Sequence, residues 1–276
     1  MYNLFMSKVQ HRDKSKNFPP LVKWSGGKKD ELKNFVEHIP NNIDTYLEPF
    51  VGGGTVLFHL NHPKNVISDV HEDLMSFYEA MKAGQKDDIY KFMETHENIE
   101  KTYYEVRDKM EINDTLDRAK RFYYLRKTCF RGMNRYNMKG KFNVSFGRYD
   151  KINYSLLEKD GHEKVLKNCE IFTKDFSYIF ENYNDEKNFM FLDPPYDAEL
   201  TDYGYCKFGK EEHKKLAEHF KNTKIRCLMI IGKTRFIEEL YKDYIVDEYD
   251  KTYRIRIHSG RINSDINNKH LIIKNY

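Results

Sequence analysis

The apolar run Phe189-Met190-Phe191-Leu192 stops abruptly at Asp193-Pro194-Pro195-Tyr196, and that stop constrains the fold more than any other stretch of the chain. Four apolar residues before a turn read as a buried strand. Neither proline can donate a ladder hydrogen bond, and the residue before each is pushed out of the helical region. The strand therefore ends in a stiff loop carrying one carboxylate and one aromatic ring. In an open α/β sheet, ligands bind in the crevice beyond the strands' C-terminal ends. A capped, proline-rich turn without function fits the same four residues, so the rest of the chain must decide between the two.

Thr45-Tyr46-Leu47-Glu48-Pro49-Phe50-Val51-Gly52-Gly53-Gly54-Thr55-Val56 reads as a strand, a glycine turn and the start of a helix that continues through Leu57, Phe58 and Leu60. Val66-Ile67-Ser68-Asp69 reads as a second strand ending in a carboxylate. Together they form the first βαβ unit of a dinucleotide-type fold, in which glycines let backbone amides meet a ligand and the acid takes a ribose diol. The ligand need not carry phosphate: S-adenosylmethionine offers a charged amino-acid end to the turn and a ribose to Asp69. Upstream, the only tryptophan lies in Lys23-Trp24-Ser25-Gly26-Gly27-Lys28-Lys29, before a short helix over Glu31–His38. Gly26-Gly27-Lys28 is not a phosphate loop, because the upstream glycine of that motif would fall on Val22.

The loop at Asp193 suits transfer of a methyl group to an exocyclic amino nitrogen. Such a nitrogen is a poor nucleophile because its lone pair is delocalised into the ring. The Asp193 carboxylate and the Pro194 carbonyl can hold its two hydrogens, drawing it towards tetrahedral geometry, while Tyr196 stacks on the base. Orientation of this kind carries much of a rate enhancement.

With 276 residues, the chain can bury a full α/β core and one inserted subdomain. Charged residues make up 33% and aromatics 15%, a globular balance. Cys129, Cys169, Cys206 and Cys227 form no CxxC pair and have no histidine at zinc spacing, so they read as reduced thiols of an intracellular protein. No run approaches the roughly 18 apolar residues of a membrane span. The histidines show no metal or triad arrangement and read as ordinary surface or loop residues.

The net charge of +4 hides a basic block. From Arg118 to Lys151 the only acid is Asp150, and aromatics are interleaved throughout. An amphipathic helical pattern precedes it from His71, with Leu74, Phe77, Tyr78, Met81, Tyr103, Tyr104, Val106 and Met110 on its apolar side. Within the block, a helix runs to about Cys129, Lys139-Gly140-Lys141 marks a turn, and Phe142-Asn143-Val144-Ser145-Phe146 alternates like a hairpin strand. Arginines reach phosphates or guanine edges, asparagine reaches adenine, and aromatics wedge between bases. A solvated basic surface accounts for many of these lysines, but less readily for the clustering of Arg131, Asn134, Arg135 and Asn137.

Later strands are expected over Cys169–Thr173, at Asp193, over Ile225–Ile231, and in an antiparallel pair over Tyr244–Ile257 and His270–Lys274 around a loop at Ser259–Asn268. A polar, aromatic loop (Asp197–Phe208) follows Asp193. The count is six or seven strands in one sheet, with the basic block inserted between the second and third. The expected division is a polar leader over 1–17, a catalytic domain over 18–71 and 161–276, and an inserted target-recognition domain over 72–160.

In this order the motifs resemble the Dam-type adenine-N6 DNA methyltransferases, across roughly residues 18 to 276. Lys23 to Lys28 looks like that family's N-terminal cofactor motif, Glu48 to Gly54 is similar to its glycine loop, and Asp193 to Tyr196 to its catalytic tetrapeptide. Phe142 to Tyr149 resembles its target-recognition hairpin. The resemblance implies a Rossmann-like class I methyltransferase sheet of the α/β class with an inserted helical and hairpin recognition subdomain. It implies Asp193, Pro194 and Tyr196 in catalysis. Trp24, Lys28, Glu48, Phe50, Gly52, Gly54, Asp69, Asp175 and Phe176 would surround S-adenosylmethionine, leaving S-adenosylhomocysteine as product, with no metal required.

Phe130, Arg131, Met133, Arg135, Asn137, Asn143, Arg148 and Tyr149 would meet double-stranded DNA, with Arg135 matching the arginine that reads the outer guanine of GATC. Three positions depart from the family pattern: Arg131 stands where asparagine is usual, Ser145 where proline is common, and Asp150 where a basic residue often follows. The implied partners are duplex DNA and no membrane; the residues leave open whether a restriction endonuclease shares the site without binding the chain or the enzyme acts alone. The tetrapeptide alone fits cytosine N4 or adenine in RNA equally well, and a DNA-binding protein that only masks sites would keep the same basic block.

Overall fold

The computed structural model of the chain describes residues 18–137, 139–197, 208–254 and 265–276. The leader expected over 1–17, most of the loop after Asp193 with Cys206, and most of the loop expected at Ser259–Asn268 lie outside these residues. Among the described residues, seven strands, β1 (Tyr46–Glu48), β2 (Asn65–Ser68), β3 (Cys169–Phe172), β4 (Phe189–Leu192), β5 (Arg226–Gly232), β6 (Ile245–Arg254) and β7 (Asp265–Lys274), form one sheet in the order β3-β2-β1-β4-β5-β7-β6. The first five are parallel, and β7 runs antiparallel to both β5 and β6. This is the mixed α/β sheet of the class I methyltransferase fold, with the basic block inserted between β2 and β3.

The central strands are buried on both faces, as parallel strands covered by helices must be. On β4, alternate residues serve opposite cores: Phe189 and Phe191 point into one, Met190 and Leu192 into the other. Helices α8 (Phe176–Asn182), α9 (Lys210–Asn222) and α10 (Arg235–Tyr241) cover the Met190 face through Phe180, Phe220 and Tyr241. On the Phe191 face lie α1 (Leu32–Phe35), α2 (Thr55–Leu60), α3 (Glu72–Lys82) and α7 (Gly161–Lys167), contributing Phe35, Phe58, Phe77 and Leu166. The first helix is shorter than its expected span, because Val36–His38 tightens into a 3₁₀ turn.

The insertion carries α4 (Lys86–Thr95), α5 (Glu100–Asp108) and α6 (Thr115–Thr128). Asp114 caps α6, accepting a hydrogen bond from the Asp117 amide at 2.7 Å. The apolar stripe holds at Leu74, Phe77, Tyr78, Met81, Tyr103 and Val106, all buried, while Tyr104 and Met110 are half-buried. Helix α3 packs on α6 on one side and on α7 and β3 on the other, so it joins the insertion to the sheet.

The hairpin strand expected at Phe142–Phe146 does not form a ladder. Two isolated antiparallel bridges, Cys129 to Phe146 and Tyr136 to Phe142, replace it. The chain opposite carries a 3₁₀ turn at Phe130–Gly132 with Arg131 at φ 56 and Gly132 at φ 61, and left-handed residues cannot continue a strand.

Candidate active site

A cavity of about 610 Å³ opens at the C-terminal ends of β1 and β4, where the chain's strand order reverses. Crevices at such switch points are the standard ligand sites of open α/β sheets, and the volume lies within the roughly 300–1,000 Å³ of small-molecule pockets. Trp24, Lys28, Glu48, Phe50, Gly52, Asp69, Asp175, Phe176, Asp193, Pro194 and Tyr196 all line it. Residues up to 172 positions apart in the chain, from Trp24 to Tyr196, thus meet in one wall. Gly54 is not in the wall. It starts α2 in the left-handed region at φ 67, and a side chain there would meet Phe58 at 2.8 Å.

The glycine turn is held from three sides. Gly52, at φ 46, leaves room for the Trp24 indole, which a β-carbon would approach to 2.6 Å. Its amide donates to Asp69 Oδ2 at 3.1 Å, and its carbonyl accepts from the Tyr78 hydroxyl at 2.7 Å. The other Asp69 oxygen accepts from the His71 amide at 3.0 Å. Burial pushes the Asp69 carboxyl up to about 6, with these amide bonds opposing it. Glu48 is pushed further, to about 8, by burial and by the neighbouring Asp193 and Asp69 charges. The Tyr46 hydroxyl and the Leu57 amide, which donate to its Oε2, only partly offset that rise. A buried carboxylate of this kind is stabilised by a cation placed against it.

Asp193 meets the Lys28 ammonium through both oxygens at 2.7 Å. Burial raises the Asp193 pKa and Lys28 opposes the rise. Lys28 is itself buried, with a further hydrogen bond to the Gly26 carbonyl at 2.6 Å, and its Nζ lies 5.1 Å from the Tyr196 ring centre. The Tyr196 ring rests on Gly232, where a β-carbon would come within 3.3 Å of it, and meets the His270 ring edge-on at 5.1 Å. On the opposite side of the cavity, Phe50 stacks on Phe176 at 5.5 Å, and Phe208 closes on both edge-on. Asp175 caps α8, accepting from the Ser177 amide at 2.8 Å.

The residues expected at DNA lie apart from this wall, on the segment from Phe130 to Tyr149. Burial alternates along Arg131–Asn137: Arg131, Met133, Arg135 and Asn137 point outwards, Asn134 and Tyr136 inwards. Phe130, Met133 and Tyr149 are among the largest exposed apolar side chains. Asn143 positions Arg135, accepting from Nε at 2.9 Å through its side chain and from Nη2 at 3.1 Å through its carbonyl. Asn137 spends its side-chain oxygen on its own turn, accepting from the amides of Lys139 and Lys141. Arg148, at φ 53, is exposed, 3.9 Å from Glu100. The arm is tied to the cavity through Tyr136, whose hydroxyl is 2.7 Å from His71 Nε2.

Four histidines overturn the expectation of surface or loop positions. His71, His162, His213 and His270 are all buried: His71 as the cap that precedes α3, His162 in α7, His213 in α9 and His270 in β7. His270 is the informative one. Its Nδ1 lies 2.6 Å from Glu31, and neither residue was expected at the site. A histidine opening the apolar run Leu271-Ile272-Ile273 was the available signal. Phe208, Glu212, Lys215 and Asn268 also line the cavity and were not expected there.

The sheet order, the crevice at its switch point and a carboxylate-aromatic loop facing a glycine turn define a methyltransferase of class I. Residues 24–255 match the model of the D12 class N6 adenine-specific DNA methyltransferases, and the chain belongs to that family. It is 55% identical over 259 residues to the type II methyltransferase M.CviBI of Paramecium bursaria Chlorella virus NC1A, covering 93% of this chain and 99% of that one. It is 33% identical to the type II methyltransferase M.MjaIII of Methanocaldococcus jannaschii, covering 85% of this chain and 87% of the other. The DNA adenine methylase of Escherichia coli is 29% identical, covering 72% and 74%. The chain is an adenine-specific DNA methyltransferase. Among the described residues, no helix is long and apolar enough to cross a membrane.

Proposed function

We propose that the enzyme transfers the methyl group of S-adenosylmethionine to N6 of an adenine flipped out of a short duplex site, with GATC as that site. The observation that carries the reading is the Asp193–Tyr196 loop, clamped by Lys28 at one end of a cavity whose other walls are Glu48, Asp69 and the Phe50–Phe176 pair. These residues fit the donor. Glu48, whose raised pKa marks a carboxylate short of a cation, would take the ammonium of its amino-acid end. Asp69 would accept from the ribose hydroxyls, and the stacked phenylalanines would hold the adenine ring. The sulfonium supplies an activated methyl group when bound.

The chain's own residues do the rest. A carboxylate has about four acceptor sites, so Asp193 can keep Lys28 and still accept one hydrogen of the amino group. The Pro194 carbonyl would accept the second, and Tyr196 would stack on the flipped base. Methylation leaves a positive nitrogen that gives up one proton, and the Asp193 carboxylate in contact with it is an acceptor. On the arm, Arg135 is held by Asn143 as a fork, the arrangement that reads guanine O6 and N7. Phe130, Arg131, Met133 and Tyr149 would wedge beside the vacated position, and Arg148 would meet a flank. A cognate restriction endonuclease would share the site without binding the enzyme; two relatives carry the name type II methyltransferase.

The test is transfer of label from S-adenosylmethionine to DNA that lacks adenine methylation, with modified bases mapped at single-base resolution. N6-methyladenine confined to GATC is the expected result. Methylation of another motif would remove the GATC assignment and the role of Arg135, and no transfer from this donor would remove the cofactor.

A further inference from the structure

We propose that Glu31 and His270 are positioning residues that hold the Asp193 clamp and the Tyr196 ring in register, a deepening that rests on the proposed function. Glu31 is buried, and its carboxylate is saturated from the C-terminal strands. Its Oε2 accepts from the Tyr249 hydroxyl at 2.7 Å and meets His270 Nδ1 at 2.6 Å, while Oε1 meets Lys251 Nζ at 2.9 Å. Burial alone would raise its pKa, but His270, the Lys28 charge, Tyr249 and Lys251 together bring it down to about 2. It is therefore a fixed anion.

That anion fastens two catalytic parts at once. Its backbone amide donates to the Lys28 carbonyl at 3.0 Å, as does the Leu32 amide, so the turn that aims Lys28 at Asp193 is pinned to β6 and β7 through Glu31. Lateral pairing supplies the second link. In the sheet, His270 stands opposite Gly232 on one side and Tyr249 on the other. Gly232 vacates the place that the Tyr196 ring occupies, and the His270 ring fills the space at that ring's edge. The Glu31 contact to Nδ1 sets the rotation of the imidazole, and the imidazole braces the platform for the base. Loss of the pair would leave the cavity on the glycine-turn side untouched while loosening the reacting side.

The test uses the full-length enzyme and a duplex carrying the mapped site, with either adenine or 2-aminopurine at the target position. Glu31→Ala, Glu31→Gln and His270→Asn are compared with wild type for single-turnover methylation, S-adenosylhomocysteine affinity and 2-aminopurine fluorescence. Glu31→Ala is expected to lose about 100-fold in single-turnover rate, the scale of a displacement near 1 Å at a reacting group. Cofactor affinity should stay near wild type and the fluorescence of the flipped base should change. Glu31→Gln should recover part of the rate. His270→Asn keeps a donor for Glu31 but removes the ring edge, so it should alter the fluorescence with a smaller rate loss.

Rates equal to wild type in all three variants would overturn the proposal, as would cofactor affinity falling in proportion to rate, which marks a general structural role. Should Glu31→Ala fail to fold, the same comparisons in the other two variants decide. A wild-type enzyme that moves no methyl group overturns the proposed function and this inference with it. A wild type that methylates beside indistinguishable variants overturns the inference alone.

Discussion

Around the cavity, Gly52, Asp69, Lys28 and Asp193 fix one another through contacts of 2.7–3.1 Å at the ends of strands. Along the arm, Phe130 is 44% exposed, Met133 39% and Tyr149 37%, and two non-glycine residues, Arg131 and Arg148, adopt left-handed backbone. Both regions carry charged and aromatic side chains, so composition does not separate them. What separates them is saturation. The cavity wall is fixed by its own hydrogen bonds and presents a preformed surface to a small molecule, with only the charge of Glu48 left for a cation to balance. Much of the arm's apolar and cationic surface faces solvent, and a strained, exposed segment keeps its energy for a partner that covers it.

This contrast predicts that substitutions in the two regions fail in different ways. Asp193→Ala should lower methyl transfer by about 1,000-fold or more, the scale of lost orientation at a reacting group, while affinity for DNA and cofactor and the choice of site stay near wild type. Steady-state kinetics with filter binding checks this, and substantial residual activity would break the division of labour at its centre. Arg135→Ala should do the converse: chemistry at the remaining sites persists, while discrimination at one guanine falls by about 1–3 kcal/mol. A uniform loss across all duplexes would make Arg135 a phosphate contact and blur the comparison.

The smallest effect belongs to Glu48, whose carboxyl is pushed up to about 8. A cation bound beside it favours the carboxylate, so cofactor binding should release a proton and tighten as pH rises from 6 to 8, above the Asp69 value of about 6. The gain is at most about tenfold per pH unit, and Glu48→Gln should flatten the slope in isothermal titration. In the cofactor-free protein the sign reverses. The native state holds this proton more tightly than the unfolded one, so Glu48 makes stability fall as pH climbs from its ordinary 4.5 through 8.

The regularity of each region also decided what could be read from the residues. Strands β4 and β5 announce themselves because burial on both faces writes a continuous apolar run. The unit from Tyr46 to Asp69 does so because its glycines and its terminal acid are local. Pairings across the chain leave no such trace. Lys28 and Asp193 are 165 positions apart, and Glu31 and His270 are 239 apart. Periodicity says that a residue faces inwards, not which residue it meets there. Thus Lys28, expected beside the cofactor, lines the cavity and also grips Asp193, and His270, expected at the surface or in a loop, is buried in β7. The Phe142–Phe146 hairpin failed for another reason: the alternation was real, but the facing segment turns at Arg131 and Gly132.

Strand β7 is the seventh along the chain, yet it lies inside the sheet, bonded to β5 on one side and β6 on the other. It brings His270 to Glu31, near the beginning of the fold. β7 is thus paired along both edges, and such a strand opens less readily than one at the rim of a sheet. The His270 ring at the edge of Tyr196 therefore rests on a strand with no free edge.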